Sequence, residues 1–271
     1  MEDDEKPLFT RAAGGVSSSV IKTSNTGLNT GSITLPCGDA AFIVRPKQEG
    51  NCPVILLAHE IFGLHELILD LAHHLARGGY LVIAPDYVSR YGDIVAASSI
   101  DALRLIIVQA SDDMTLKIFD KAFASAAYDG GDLHRVAMTG VCWGGHVAWL
   151  YGAYNGRIHA FVAWYGRLDG ERAPKNYWPI DLAGQVQAPT PGLYGGADPT
   201  ILRELIVKFQ DQLYKNGAPA QIKIYDGAPH GFCADYRETY RSDAEQKAWS
   251  EMCAFFKRHN VYGVKSIRSR L

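Results

Sequence analysis

The stretch Arg135-Val136-Ala137-Met138-Thr139-Gly140-Val141-Cys142-Trp143-Gly144-Gly145-His146, running on to Tyr154, reads as strand, tight turn and helix. Val136 to Met138 form a short apolar run of the kind buried in a sheet. Glycines at 140, 144 and 145 surround Cys142 where a strand passes abruptly into a helix, and a Cβ at such positions would collide with the neighbouring backbone. The helix that follows turns its unpaired N–H groups towards the cysteine, which favours the thiolate. A buried structural cysteine in a glycine-rich turn is the competing reading.

Outward from this turn, apolar strands alternate with helical stretches. Strands are expected at Val54–Ala58, Tyr80–Ala84, Arg135–Thr139, Ala160–Trp164, Thr190–Tyr194 and Ala220–Tyr225. Helices are expected near Glu66–Arg77, Ile100–Gln109, Asp113–Tyr128, Trp143–Tyr154, Pro199–Asn216 and Ser242–Arg258. Near-continuous apolar strands separated by helices imply an α/β fold with a mainly parallel sheet covered on both faces. Ser18–Thr23, Ser32–Pro36 and Ala41–Arg45, separated by turn signals, look like an antiparallel entry to that sheet. Residues 1–16 lack periodicity and read as a flexible arm; no linker or repeat divides residues 17–271, which read as one domain.

Bulk properties narrow the partners. At 47% hydrophobic and 21% charged residues, the 271-residue chain can build a core without disulfides or structural metal. A net charge of −2 gives no electrostatic reason for nucleic acid or anionic lipid as a partner. The basic residues are scattered except for a weakly basic tail (Lys265, Arg268, Arg270). Five widely spaced cysteines with no C-x-x-C pair suggest thiols in a reducing compartment. No apolar run reaches membrane-helix length, and the acidic start is unlike a signal peptide, so a cytoplasmic location is expected. His59-Glu60 begins like a zinc H-E-x-x-H motif, but Gly63 stands where the second ligand belongs; no metal or cofactor is implied.

Gly140-Val141-Cys142-Trp143-Gly144 resembles the G-x-S-x-G elbow of the α/β-hydrolase fold, with cysteine in place of serine. Chain order in that fold is nucleophile, acid, histidine. Asp198 stands just past the strand Thr190–Tyr194, and His230 follows the strand Ala220–Tyr225, so Cys142, Asp198 and His230 come in that order. His230 would take the thiol proton and Asp198 would orient the imidazole. Asp198 before Pro199 also suits a helix N-cap. His73 and His74 read as surface or half-buried helix histidines; His146, four residues past Cys142, could line the site, but helix surface is the favoured reading.

With these residues in hand, the chain resembles the dienelactone hydrolase (carboxymethylenebutenolidase) family over about Ser32 to Phe256. The matching segments are His59-Glu60-Ile61-Phe62-Gly63-Leu64, Ala84-Pro85-Asp86-Tyr87-Val88-Ser89-Arg90, the elbow, and Pro229-His230-Gly231-Phe232. The resemblance implies a hydrolase of ester or lactone bonds in small, carboxylate-bearing substrates, acting through a thioester acyl-enzyme. It implies an oxyanion hole from the backbone N–H groups of Ile61 and Trp143, and a role for Glu60 in keeping the resting thiol neutral. It also makes Arg90 an anchor for the substrate carboxylate. The family's second arginine, four residues past the histidine, is Ala234 here, and Arg237 is the nearest substitute. A thioesterase or general carboxylesterase on the same three residues, or a non-catalytic small-molecule binder, are the alternatives. The loop 166–188, with Tyr177, Trp178 and Pro179, is expected to wall or cover the pocket, although its aromatics suit packing against the sheet edge equally well and are not named as site residues; oligomeric state is not legible.

Overall fold

A computed structural model describes residues 23–47, 51–94, 96–170 and 177–263. The expected arm at 1–16, all but the last residue of the first strand (Ser18–Thr23) and the basic tail fall outside them. Eight strands form one sheet in the order β1-β2-β4-β3-β5-β6-β7-β8. The strands are β1 (Leu28–Thr34), β2 (Ala40–Pro46), β3 (Cys52–Ala58), β4 (Leu81–Pro85), β5 (Gly131–Val141), β6 (Ala160–Trp164), β7 (Thr190–Gly195) and β8 (Ala220–Tyr225). β2 runs antiparallel to both β1 and β4, while β4, β3, β5, β6, β7 and β8 are mutually parallel. The expected mainly parallel sheet with an antiparallel entry is what forms.

Among the described residues six α-helices cover the sheet: α1 (Glu66–Arg77), α2 (Ile100–Ile107), α3 (Asp112–Ser125), α4 (Trp143–Tyr154), α5 (Arg203–Lys215) and α6 (Ser242–Arg258). α1 buries Leu67, Ile68, Leu71, Ala72, Leu75 and Ala76, a stripe at helical spacing. It shares one face of the sheet with α6, to which His74 and Trp249 connect it at 5.0 Å between ring centroids. On the other face α4 packs against α3, and Trp149 of α4 meets Phe209 of α5 edge-on at 4.9 Å. β3, β4 and β6 are buried along their whole length, whereas edge strand β8 is partly exposed.

Three boundaries differ from expectation by four residues, the others by less. β1 begins at Leu28 rather than Ser32, because its first residues pair with the end of β2 (Leu28 with Pro46). β5 begins at Gly131 rather than Arg135, because Gly131 and Asp132 pair with Cys52 and Pro53 ahead of a register shift at Pro53/Val54. α5 begins at Arg203 rather than Pro199, for a reason that lies in the site below. Among the described residues no helix is long and apolar enough to cross a membrane.

Candidate active site

The chain leaves β3 towards α1 on one face and leaves β5 towards α4 on the other. Ala58 and Gly140 are paired at the ends of these adjacent strands, so Glu60–Ile61 and Cys142–Trp143 emerge side by side at a topological switch point. Cys142 has φ 55° and ψ −115°, a backbone conformation that L-residues rarely adopt, and its N–H donates to Trp164 O at 3.0 Å. The glycines make the turn possible. A Cβ on Gly140 would lie 2.3 Å from Gly144 O, one on Gly144 2.1 Å from Ala58 O, and one on Gly145 2.4 Å from Trp164 O. α4 is thus pressed onto the end of β3, with the half-buried Cys142 at its N-cap.

His230 and Asp198 arrive from β8 and β7. His230 Nε2 lies 3.2 Å from Cys142 Sγ, and His230 Nδ1 lies 2.7 Å from Asp198 Oδ2. The other carboxylate oxygen, Oδ1, accepts from Thr200 N (2.8 Å), Thr200 Oγ1 (2.7 Å) and Ile201 N (3.2 Å). This turn around the carboxylate holds residues 198–201 out of the helix and delays α5 to Arg203. Asp198 therefore uses capping-type bonds without capping a helix. Burial alone would raise its pKa, but the bonds from His230 and Thr200 outweigh that and hold it below its ordinary value. Burial likewise opposes charge on His230, yet the Cys142 sulfur and the Asp198 carboxylate lift its pKa to about 10.

The segment after β3 is clamped. Buried His59 keeps a pKa near 4, chiefly from desolvation, and is neutral at pH 7. Its Nδ1–H donates to Glu60 O (2.7 Å), while its Nε2 accepts from Tyr87 N (3.5 Å). Tyr87 stacks on the His59 ring at 3.7 Å, donates its hydroxyl to His59 O, and meets Trp143 edge-on at 4.9 Å. His59 is a brace for this loop rather than part of a metal motif; among the described residues no group of three His, Cys, Asp or Glu side chains is placed to hold a metal. The residues expected to supply an oxyanion hole, Ile61 and Trp143, follow the paired ends of β3 and β5. The Ile61 N–H donates to no group among the described residues. Trp143 N–H belongs to the first residue of α4, a position with no intrahelical acceptor.

The remaining expected residues fall differently. Glu60 is buried at 1% exposure, with Oε1 2.8 Å from His65 Nε2 and accepting from Tyr236 Oη; it does not hydrogen-bond to the Cys142 sulfur. Burial would raise its pKa, but His65, Arg237 and Tyr236 lower it to about 2. Arg90, in a short 3-10 turn after β4, is 34% exposed and pairs through Nε with Asp39 Oδ1 at 3.1 Å. Ala234 is fully buried, which leaves no room there for an arginine. Successive turns (Ala234 N to Gly231 O, Arg237 N to Ala234 O) fold Arg237 back instead. Its guanidinium sits 4.7 Å over the Phe62 ring, and the charges of Glu60, Tyr236 and Cys142 raise its pKa against the cost of burial.

His146 corrects an expectation. It is 2% exposed rather than on the helix surface, with Nδ1 3.2 Å from Arg167 O and Trp178 against its ring at 5.2 Å. The segment carrying Trp178 covers the first turns of α4, and Pro179–Gln185 continues it as a 3-10 turn; residues 171–176 of the expected lid lie outside the described residues. The sequence reading also missed His65, Tyr87, Thr200 and Tyr236. Thr200 had a local signal, since Asp-Pro-Thr favours a side-chain-to-backbone turn. Tyr87 and Tyr236 act across the fold, and His65 meets Glu60 because the turn Glu60–Gly63 folds the chain back.

A mainly parallel sheet bearing a strained cysteine turn, with histidine and aspartate after later strands, defines an α/β-hydrolase-type enzyme. The chain belongs to the dienelactone hydrolase family, whose model matches residues 40–260. It is 38% identical to a protein named "Putative carboxymethylenebutenolidase" from Escherichia coli (strain K12), over 98% of this chain and 100% of that protein. A protein of the same name from Yersinia pestis is 40% identical over 88% of this chain and 91% of its own length. The crystal structure titled as a putative dienelactone hydrolase from Klebsiella pneumoniae superposes with a TM-score of 0.83 at 38% identity, covering 85% of this chain and 99% of that one. The chain is accordingly a hydrolase of the dienelactone hydrolase type.

Proposed function

We propose that the enzyme cleaves ester or lactone bonds of small carboxylate-bearing molecules through Cys142, His230 and Asp198, by way of a thioester. The observation that carries this reading is the contact chain Sγ to Nε2 (3.2 Å) and Nδ1 to Oδ2 (2.7 Å), set on the strained elbow. His230 Nε2 takes the thiol proton as Cys142 sulfur attacks the carbonyl carbon, and the oxyanion forms against the Ile61 and Trp143 N–H groups. Collapse of this intermediate breaks the C–O bond, and the departing alkoxide takes the proton held at His230 Nε2. In a lactone the alkoxide stays tethered to the acyl group. His230 then withdraws a proton from water, the hydroxide attacks the thioester, and the carboxylic acid leaves as the sulfur is released. Asp198 holds the Nδ1–H throughout, which fixes the tautomer that presents Nε2 to the sulfur.

Arg237 is the better-placed anchor for a substrate carboxylate, because it is held over Phe62 within electrostatic reach of Cys142. Arg90 would first have to leave Asp39. The name these relatives carry, carboxymethylenebutenolidase, supports a lactone bearing a carboxylate.

The test is turnover of p-nitrophenyl acetate and of 4-carboxymethylenebut-2-en-4-olide by wild type, Cys142→Ala and iodoacetamide-treated enzyme. Hydrolysis of at least one substrate, lost on either treatment, is expected. Undiminished activity in Cys142→Ala would sink the reading.

A further inference from the structure

His230 has partners in the plane of its ring at both nitrogens, and these leave one motion free. Nδ1 lies 2.7 Å from Asp198 Oδ2 and Nε2 lies 3.2 Å from Cys142 Sγ, but the ring can roll about the line through both contacts with little change in either length. Among the described residues, the aromatic ring that packs on the imidazole is Tyr165, with centroids 5.1 Å apart and planes at 66°. The His230 side chain is 19% exposed and Tyr165 is fully buried, so the phenol backs the inner side of the imidazole.

Tyr165 is held there from both ends. It follows β6 directly, and at φ 35° it takes a left-handed conformation that is costly for a side chain of this size. The bend lets the next residue pass close against the start of α4: a Cβ on Gly166 would lie 2.3 Å from Gly145 C and from His146 N. The Tyr165 N–H donates to Leu193 O at 2.8 Å, which ties the bend to β7. At the far end, the hydroxyl lies 2.7 Å from Cys233 Sγ, and Phe232 packs on the ring at 5.3 Å. Cys233 stands three residues past His230, so the phenol is fastened to the loop that carries the imidazole. Burial pushes the hydroxyl's pKa well above its ordinary value, so it stays neutral. Glycine would make such a bend without strain, and a buried tyrosine kept in it points to a task for the ring.

We propose that Tyr165 is a positioning residue: fastened to Cys233, its ring fixes the roll of the His230 imidazole, so that Nε2 is aimed first at the sulfur and then at the leaving oxygen. The proposal rests on the reading of Cys142, His230 and Asp198 as the catalytic set. Hydrogen bonds weaken steeply as they bend, so a rolled imidazole would stay beside Asp198 yet transfer its proton poorly. The step that feels this most is leaving-group departure. As the C–O bond breaks, its electron pair goes to the oxygen, and the proton on Nε2 passes to that oxygen. p-Nitrophenoxide leaves without the proton, whereas phenoxide and aliphatic alkoxides need it.

The measurement is kcat/KM, which reports the steps through acylation, for p-nitrophenyl, phenyl and trifluoroethyl acetate with the whole protein at pH 7. In Tyr165→Leu the loss should grow with the basicity of the leaving oxygen, and be at least about tenfold greater on phenyl than on p-nitrophenyl acetate. An equal loss on all three esters, or none, would mean that the ring only fills space, and overturns the proposal. Tyr165→Phe keeps the ring and removes only the fastening, so its extra loss on phenyl acetate should be smaller, about threefold. Cys233→Ala should match Tyr165→Phe, and the double variant should lose no more than either single one, because all three break the same contact. Losses that add would show the two side chains acting separately and overturn the fastening. Should Tyr165→Leu fail to fold, the two milder variants decide the matter: a leaving-group dependence unchanged from wild type in both sinks the proposal. Failure of the catalytic reading itself would look different, namely phenyl acetate turnover that survives His230→Ala.

Discussion

His230 stands between an acid and a sulfur, and its two ring nitrogens carry different duties. Nδ1 is committed to Asp198 Oδ2, which leaves Nε2 for Cys142. Asp198→Asn keeps the shape but replaces an oxyanion acceptor with an amide that can present N–H to the ring, favouring the wrong tautomer. A fall in kcat on the order of 10²–10⁴-fold with little change in KM is expected from steady-state kinetics. The same substitution has a pH signature. The Asp198 carboxyl is held below its ordinary value of 3.8, so the stability it contributes is present above that value and is lost as pH falls through the lower, folded one. The melting-temperature gap between wild type and Asp198→Asn should therefore be largest near pH 7 and close towards pH 3; a gap independent of pH would contradict this account. Tyr87→Phe is a subtler probe, since it removes only the hydroxyl donated to His59 O behind the Ile61 N–H. The buried carbonyl left without that partner costs about 1–3 kcal/mol, and kcat should fall while alkylation of Cys142 does not.

At the scale of elements, α4 is placed by its glycines. Gly144→Ala puts a Cβ 2.1 Å from Ala58 O, which is backbone and cannot swing aside. The start of α4 must then retreat from β3, costing at least about 1–3 kcal/mol and separating the two N–H groups of the proposed oxyanion hole. Exposed Gly156, whose Cβ would find Gln187 Oε1 at 3.6 Å, is the control, with Gly156→Ala expected within about 0.5 kcal/mol of wild type. Denaturant melts of both variants, with ester turnover, check this. The same element shows what local sequence can and cannot reveal. The order of strands and helices was legible because buried parallel strands are short apolar runs and α1 carries a clear apolar stripe. The elbow was legible because close backbone approach permits only glycine. The burial of His146 was not, because it depends on the Trp178 segment arriving from elsewhere in the chain to cover an otherwise solvent-facing turn. The late start of α5 was also hidden: Pro199 is a good first helical residue, and only the commitment of Asp198 to His230 overrides it. Likewise His65 and Tyr236 lie 171 residues apart in sequence and meet only because β3 and β8 both end on the same edge of the sheet.

That shared edge is the property of the whole molecule that matters for selectivity. Six parallel strands deliver Glu60, Arg90, Cys142, Tyr165, Asp198 and His230 from their C-terminal ends, and the loop after β8 adds Arg237. In the proposed reading two arginines are candidates to anchor an anionic substrate, and the fold treats them unequally. Arg90 is neutralised by Asp39, a residue from the antiparallel entry of the sheet, at 3.1 Å and partly in solvent. Arg237 is laid over Phe62 with its Nε buried and unpaired, so an incoming carboxylate would gain a charge-assisted bond without displacing a direct partner of that atom. Losing one such bond is worth about 1.5–3 kcal/mol, or roughly 10–150-fold in kcat/KM. Arg237→Gln should show that loss for 4-carboxymethylenebut-2-en-4-olide and a much smaller one for p-nitrophenyl acetate, which has no carboxylate to anchor. Arg90→Gln should change the ratio of the two substrates by less than about threefold, because its partner is Asp39 rather than the ligand. Equal losses on both substrates in Arg237→Gln would mean that this arginine serves the charge balance around Glu60 and Cys142, and that the carboxylate is read elsewhere.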